Sequence, residues 1–122
     1  MIALVVDDSA VIRHIANKAL RAAGWEVQVA ADGAAGLAAL ESMPACDLLL
    51  TDWHMPVLDG IDLVRKVRSH ERFSALRIVM VSSDAVLESL EAALAAGAND
   101  FVMKPFTTES LTERIDEVMR AS

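Results

Sequence analysis

Four short runs in this chain are continuously apolar: Ile2 to Val6, Leu48 to Leu50, Ile78 to Val81 and Phe101 to Met103. Runs too short for a buried helix, and partly β-branched, read as strands covered on both faces, the pattern of a parallel sheet. A fifth segment, Glu26-Val27-Gln28-Val29, alternates and so belongs at a half-covered sheet edge. Helical periodicity fills the gaps. Val11, Ile12, Ile15, Ala19 and Leu20 form one stripe, closed by Gly24 as a left-handed cap. Ile61, Val64 and Val67 form another; Val86, Leu90, Ala93 and Leu94 a third, in a helix from Ala85 to Ala96; Leu111, Ile115 and Val118 the last. Gly33 to Glu41 is Ala-rich and helix-compatible, although its two glycines lower the propensity. Five strands alternating with five helices predict an α/β fold, a five-stranded parallel sheet with right-handed crossovers and helices on both faces.

Composition narrows the function. A chain of 122 residues, 54% apolar, is one domain (residues 1–122) able to bury a core without a disulfide or structural metal. No apolar run approaches the ~18–20 residues of a membrane span, and no basic leader with a cleavage site precedes the first strand. Met1, directly before that strand, reads as a natural N-terminus. With 18 acidic and 11 basic side chains, a net charge of −7 and no Lys/Arg cluster, the chain is a poor nucleic-acid binder. Cys46 is the single cysteine, so there is no intrachain disulfide, and no Cys/His spacing suits zinc. The expectation is a soluble cytoplasmic protein.

In a doubly wound sheet, ligands bind beyond the C-terminal ends of the strands. The residues there are Asp7-Asp8, Asp52, Ser82-Ser83 and Lys104-Pro105. Taken singly, Asp-Asp is a helix cap, Ser82 a turn residue, and Lys104 a solvated surface lysine before a helix-entry proline. Their arrival at one edge is a different matter. Each close carboxylate pair costs about 4 kcal/mol at an effective dielectric of ~20, and one lysine cannot offset three carboxylates. Either some stay protonated or a divalent cation sits among them. Oxygen-only donors suit a hard ion, Mg²⁺ better than zinc. Cation, ammonium and hydroxyl around a carboxylate suit a phosphoryl group, which the carboxylate can attack to form an acyl phosphate.

These residues resemble the response-regulator receiver domains, in pattern the stand-alone chemotaxis (CheY-like) type. The resemblance spans essentially the whole chain. It rests on Val6-Asp7-Asp8-Ser9, on Thr51-Asp52-Trp53-His54-Met55-Pro56 with Asp59-Gly60, on Val81-Ser82-Ser83-Asp84, and on Gly97-Ala98-Asn99-Asp100-Phe101 running into Lys104-Pro105-Phe106. It implies the flavodoxin-like strand order 2-1-3-4-5. It implies Asp52 as phospho-acceptor, and Mg²⁺ held by Asp8, Asp52 and the main-chain carbonyl of His54, with Asp7 acting mainly through water. Lys104 would pair with Asp52 and then the phosphoryl oxygens, across a cis Lys104–Pro105 bond. Ser82 would be the switch hydroxyl and Phe101 the aromatic switch, here without a phenol hydroxyl. His54 and Asp84 would tune the dephosphorylation rate. The donor would be a sensor histidine kinase or histidine phosphotransfer protein. The output partner would dock on the face of helix 4, strand 5 and helix 5, without direct contact to nucleic acid or membrane.

Two other readings use the same edge. A phosphorylation-independent docking module usually lacks an acidic residue or the lysine, and all are present here. A Mg²⁺-dependent phosphohydrolase typically carries a second Asp two residues after its nucleophile, where this chain has His54 and no cap domain. A lone His54 side chain is a poor metal ligand; His14 and His70 fall on polar faces; Trp53 reads as a lid over the pocket. The six methionines read as core filler, and the small residues of Ala92 to Ala98 as a packed helix that a partner can also approach closely.

Overall fold

Three of the four apolar runs, Ile2–Val6, Leu48–Leu50 and Ile78–Val81, form strands buried almost throughout on both faces, but the fourth, Phe101–Met103, lies in an edge strand that is only partly covered, with Met103 49% exposed. A computed structural model, which describes residues 1–83 and 87–121, has β1 at Ile2–Val6, β2 at Glu26–Ala30, β3 at Leu48–Asp52, β4 at Arg77–Ser82 and β5 at Asp100–Met103. The helices are α1 (Ala10–Ala22), α2 (Gly33–Ser42), α3 (Gly60–Arg68), α4 (Leu87–Ala96) and α5 (Thr108–Arg120), with a 3₁₀ turn at Glu71–Phe73. All strand pairs are parallel, in the order β2-β1-β3-β4-β5. Every residue of central β3 is buried, whereas edge strand β2 follows its alternation only in part: Glu26 and Gln28 are exposed and Val27 is buried, but Val29, on the same face as Val27, is 50% exposed at the sheet edge.

Period-two alternation sorts the strand side chains into two cores. Ala3, Val5, Leu50 and Val79 meet Leu20 of α1 and Leu111 and Ile115 of α5; Leu4, Val6, Leu49 and Met80 meet Leu40, Leu63 and Ala93 of α2, α3 and α4. Three positions depart from the expected stripes: Val11, Ala16 and Leu94, the last 46% exposed on α4. Val11 is 67% exposed in the first turn of α1, while Ala16, outside the expected stripe, is fully buried where α1 packs down on the sheet. The α2 glycines have a packing reason: a Cβ on Gly36 would lie 2.7 Å from Cγ2 of Val6, so the glycine lets α2 approach β1. Met43, Met55 and Met80 fill the core, but Met1 and Met103 are exposed. Gly24 does cap α1 at φ +93°, with its N–H donated to the Arg21 carbonyl and that of Trp25 to the Leu20 carbonyl.

Candidate functional site

The site begins where β1 runs out. The Asp7 N–H continues the sheet by donating to the Ala30 carbonyl at 3.1 Å. Its Oδ1 accepts the Ser9 N–H at 2.8 Å, and Ser9, not an aspartate, caps α1 by accepting from the Ile12 N–H. That division of labour leaves Asp7 buried at 1% exposure and Asp8 free to project into solvent.

β3 delivers Asp52, 7% exposed, whose Oδ1 accepts the Trp53 N–H at 2.9 Å. The following loop folds back until the Gly60 N–H reaches the Trp53 carbonyl at 2.7 Å. A Cβ on Gly60 would stand 2.0 Å from the Asp52 carbonyl oxygen, so only glycine allows α3 to start there. β4 ends in fully buried Ser82. Lys104 follows β5, donates its N–H to the Ser82 carbonyl at 2.8 Å, and precedes a cis bond to Pro105.

These ends converge. Lys104 Nζ lies 2.9 Å from Asp7 Oδ2 and 3.1 Å from Asp52 Oδ1, so it bridges two carboxylates instead of pairing with Asp52 alone. Asp7, Asp8 and Asp52 each offer an oxygen, all within 4.8 Å of one another. Burial, and then the charge of Asp7, hold the Asp52 carboxyl above its ordinary range against the pull of Lys104. Burial alone would lower the Lys104 ammonium, but its hydrogen bonds to Asp7 and Asp52 outweigh that and raise it. One cation among three carboxylates leaves negative charge uncompensated. The all-oxygen donor set therefore fits a hard divalent cation such as Mg²⁺.

Around this centre, Trp53 is half-buried and meets the Phe101 ring edge-to-face, centroids 6.3 Å apart. The His54 side chain is exposed, its ring 6.1 Å from that of Trp53. Asp84, together with Ala85 and Val86 of the expected helix start, lies outside the described residues. Sequence reasoning passed over two neighbours. Arg13 Nη1 donates to the Asp7 carbonyl at 2.7 Å, from a position indistinguishable in sequence from a solvated helix face. Val57 has φ +72° in a tight turn closed by the Leu58 N–H on the Pro56 carbonyl, a conformation rare for a β-branched residue. Pro56 and Asp59-Gly60 announce a turn there, but nothing in them assigns a positive φ to valine.

Comparison with known proteins agrees with this geometry. The family model described as response regulator receiver domain matches residues 3–116. Chemotaxis protein CheY of Pseudomonas aeruginosa is 40% identical over 116 residues, covering 94% of this chain and 93% of that protein. Chemotaxis protein CheY1 of Helicobacter pylori is 38% identical over 117 residues, 95% of this chain and 94% of its own. Among solved structures, the chemotaxis response regulator CheY4 of Vibrio cholerae superposes with a TM-score of 0.91 at 33% identity, over 96% of this chain and 97% of that one. A probable two-component response regulator/GGDEF domain protein matches with a TM-score of 0.92 at 37% identity, over 99% of this chain but 50% of its own. No helix among the described residues is long and apolar enough to cross a membrane. The chain belongs to the response regulator receiver domain family and is a two-component response regulator phosphorylated on aspartate.

Proposed function

We propose that Asp52 is the phosphorylated aspartate. The observation that carries this is its place at the end of the central strand, buried, with Lys104 Nζ 3.1 Å from Oδ1 and two further carboxylates alongside. A carboxylate oxygen of Asp52 attacks phosphorus as the bond to the donor's imidazole nitrogen breaks, and the donor is the phosphohistidine of a sensor histidine kinase or histidine phosphotransfer protein. Receiver domains are signalling domains and not turnover enzymes, and here the chain assists its own phosphorylation and dephosphorylation.

Mg²⁺ would be held by Asp8, Asp52 and the main-chain carbonyl of His54. Both oxygens of Asp7 already accept, one from the Ser9 N–H and one from Lys104, which favours Asp7 acting through water. When bound, the cation supplies the positive charge that lets a phosphoryl group approach an acidic cluster. Lys104 balances charge on the phosphoryl oxygens after transfer. Ser82 donates its hydroxyl to one of them, and Phe101 moves as that hydroxyl does. His54 and Asp84 overhang the line of water attack and set how long the acyl phosphate lasts. The response is read in the cytoplasm by an output protein docked on the α4–β5–α5 face; the chemotaxis proteins among its relatives make a motility partner the favoured one.

The test is intact-mass analysis after incubation with acetyl phosphate, with and without Mg²⁺. A single phosphoryl adduct that needs Mg²⁺ and disappears in Asp52→Asn is the expected result. Labelling of another residue in that variant would move the acceptor elsewhere. Phosphate release without an adduct would favour a phosphohydrolase, and no reaction at all a docking module.

A further inference from the structure

The α4–β5–α5 face carries two exposed apolar side chains, Leu94 on α4 at 46% and Met103 on β5 at 49%. Met103 shares a strand face with Phe101, which packs into the core beneath α4, so it emerges beside that helix. Ala96 packs into the same core, and Leu94 lies about 200° round the helix from it, turned outward. The charge around them is predominantly acidic. Arg114 on α5 is held by Asp100 at 3.2 Å and lies 3.8 Å from Glu117, a single guanidinium shared between two carboxylates. Glu91 is exposed on α4, neither α4 nor α5 contains a lysine, and the second arginine of α5, Arg120, sits in its last turn with Nε donating to the Asp116 carbonyl. Lys104, next along from Met103, turns its ammonium into the phosphorylation site.

We infer that the output partner presents an amphipathic basic segment, covering Leu94 and Met103 with apolar side chains and meeting the acidic rim with Lys or Arg. This rests on the reading of α4–β5–α5 as the output face and adds the chemistry of what binds there. Charge complementarity selects the occupant. A second copy would bring like charge against like, and nucleic acid would meet the same repulsion. Methionine and leucine at the centre supply adaptable apolar contact, while the rim charges govern approach and partner choice.

The experiment uses two labelled synthetic helices sharing one leucine face, one with lysines on its polar face and the other with glutamates. Both are titrated into the full chain in acetyl phosphate and Mg²⁺, with anisotropy giving affinity and amide NMR shifts giving location. The lysine peptide binds more tightly, weakens as salt rises, and shifts α4, β5 and α5 amides. Reversing two rim charges, Glu91→Lys with Glu117→Lys, weakens it at least tenfold and improves the glutamate peptide. An equal charge change on a distant surface, Glu26→Lys with Glu41→Lys, alters it less than twofold. Equal losses in the two double variants reduce the effect to net charge and overturn the inference. Preference for the glutamate peptide at the same amides overturns the basic-partner chemistry and leaves the output face intact. Shifts confined to other elements overturn the output-face reading itself.

Discussion

Replacing Asp8 by Asn should make the metal-free protein more stable. Its carboxylate lies within 4.8 Å of oxygens from both Asp7 and Asp52, and among the described residues it forms no ion pair. At that distance a like-charge pair costs about 3.5 kcal/mol at an effective dielectric of ~20 and about 0.9 kcal/mol in bulk water. Lys104 cancels roughly one of the two charges that Asp8 faces, and solvent reaches Asp8 freely, so the relief falls between those limits, at about 2 kcal/mol. In a chain of 122 residues that is a rise of roughly 7 °C in Tm. Urea unfolding followed by far-ultraviolet circular dichroism, in EDTA and low salt, reads it as a higher midpoint with an unchanged slope. Mg²⁺ should then reverse the order. A cation at a hundredfold excess over its Kd stabilises the parent by about 2.7 kcal/mol, whereas Asp8→Asn has lost a ligand and gains little. If Asp8→Asn is no more stable than the parent in EDTA, the repulsion is already relieved and the electrostatic reasoning fails. If Mg²⁺ stabilises both equally, Asp8 is not a ligand.

Much of this was legible in the chain because the informative residues are local to strand ends. Asp7, Asp52, Ser82 and Lys104 each sit at or just beyond a hydrophobic run, so calling the strands places them at one edge without knowledge of side-chain geometry. Strand order was not legible in that way. Periodicity is blind to which parallel neighbours pair, and 2-1-3-4-5 entered only through the family resemblance. What went astray depends on three-dimensional approach. Val11 fits the α1 stripe but stands exposed in its first turn, and Ala16 counts as core only because α1 packs closely on the sheet. The bridging of Asp7 and Asp52 by one lysine, the edge-to-face contact of Trp53 with Phe101, and the positive φ of Val57 join residues by geometry that no spacing rule encodes.

Three further perturbations probe the frame around the site. Burial and the charge of Asp7 raise the Asp52 pKa, so the folded chain holds that proton more readily than the unfolded one. Its stabilising contribution is complete below the ordinary aspartate pKa of ~3.9 and lost as pH rises through the folded value. Asp52→Asn should therefore gain on the parent as pH rises through that window, and parallel Tm profiles would contradict it. Arg68 donates to the Gly97 carbonyl, the Phe73 carbonyl and Asn99 Oδ1, tying α3 to the end of α4 and the approach to β5. Arg68→Ala should cost roughly 2–4 kcal/mol by urea denaturation, since three acceptors lose a charged donor, and a loss under 1 kcal/mol would show that water replaces it. Gly60→Ala tests whether backbone packing positions the acceptor. The new Cβ would stand 2.0 Å from the Asp52 carbonyl oxygen, and that neighbour is main chain at the end of the central strand, with no rotamer to turn away. Either α3 lifts or the end of β3 shifts, and a misplacement of about 1 Å at a reacting group can cost a hundredfold in rate. Labelling by acetyl phosphate, scored per folded molecule at saturating Mg²⁺, should slow at least tenfold. Full labelling speed in a folded Gly60→Ala protein would mean the loop absorbs the methyl group and that Asp52 owes its position to the sheet alone.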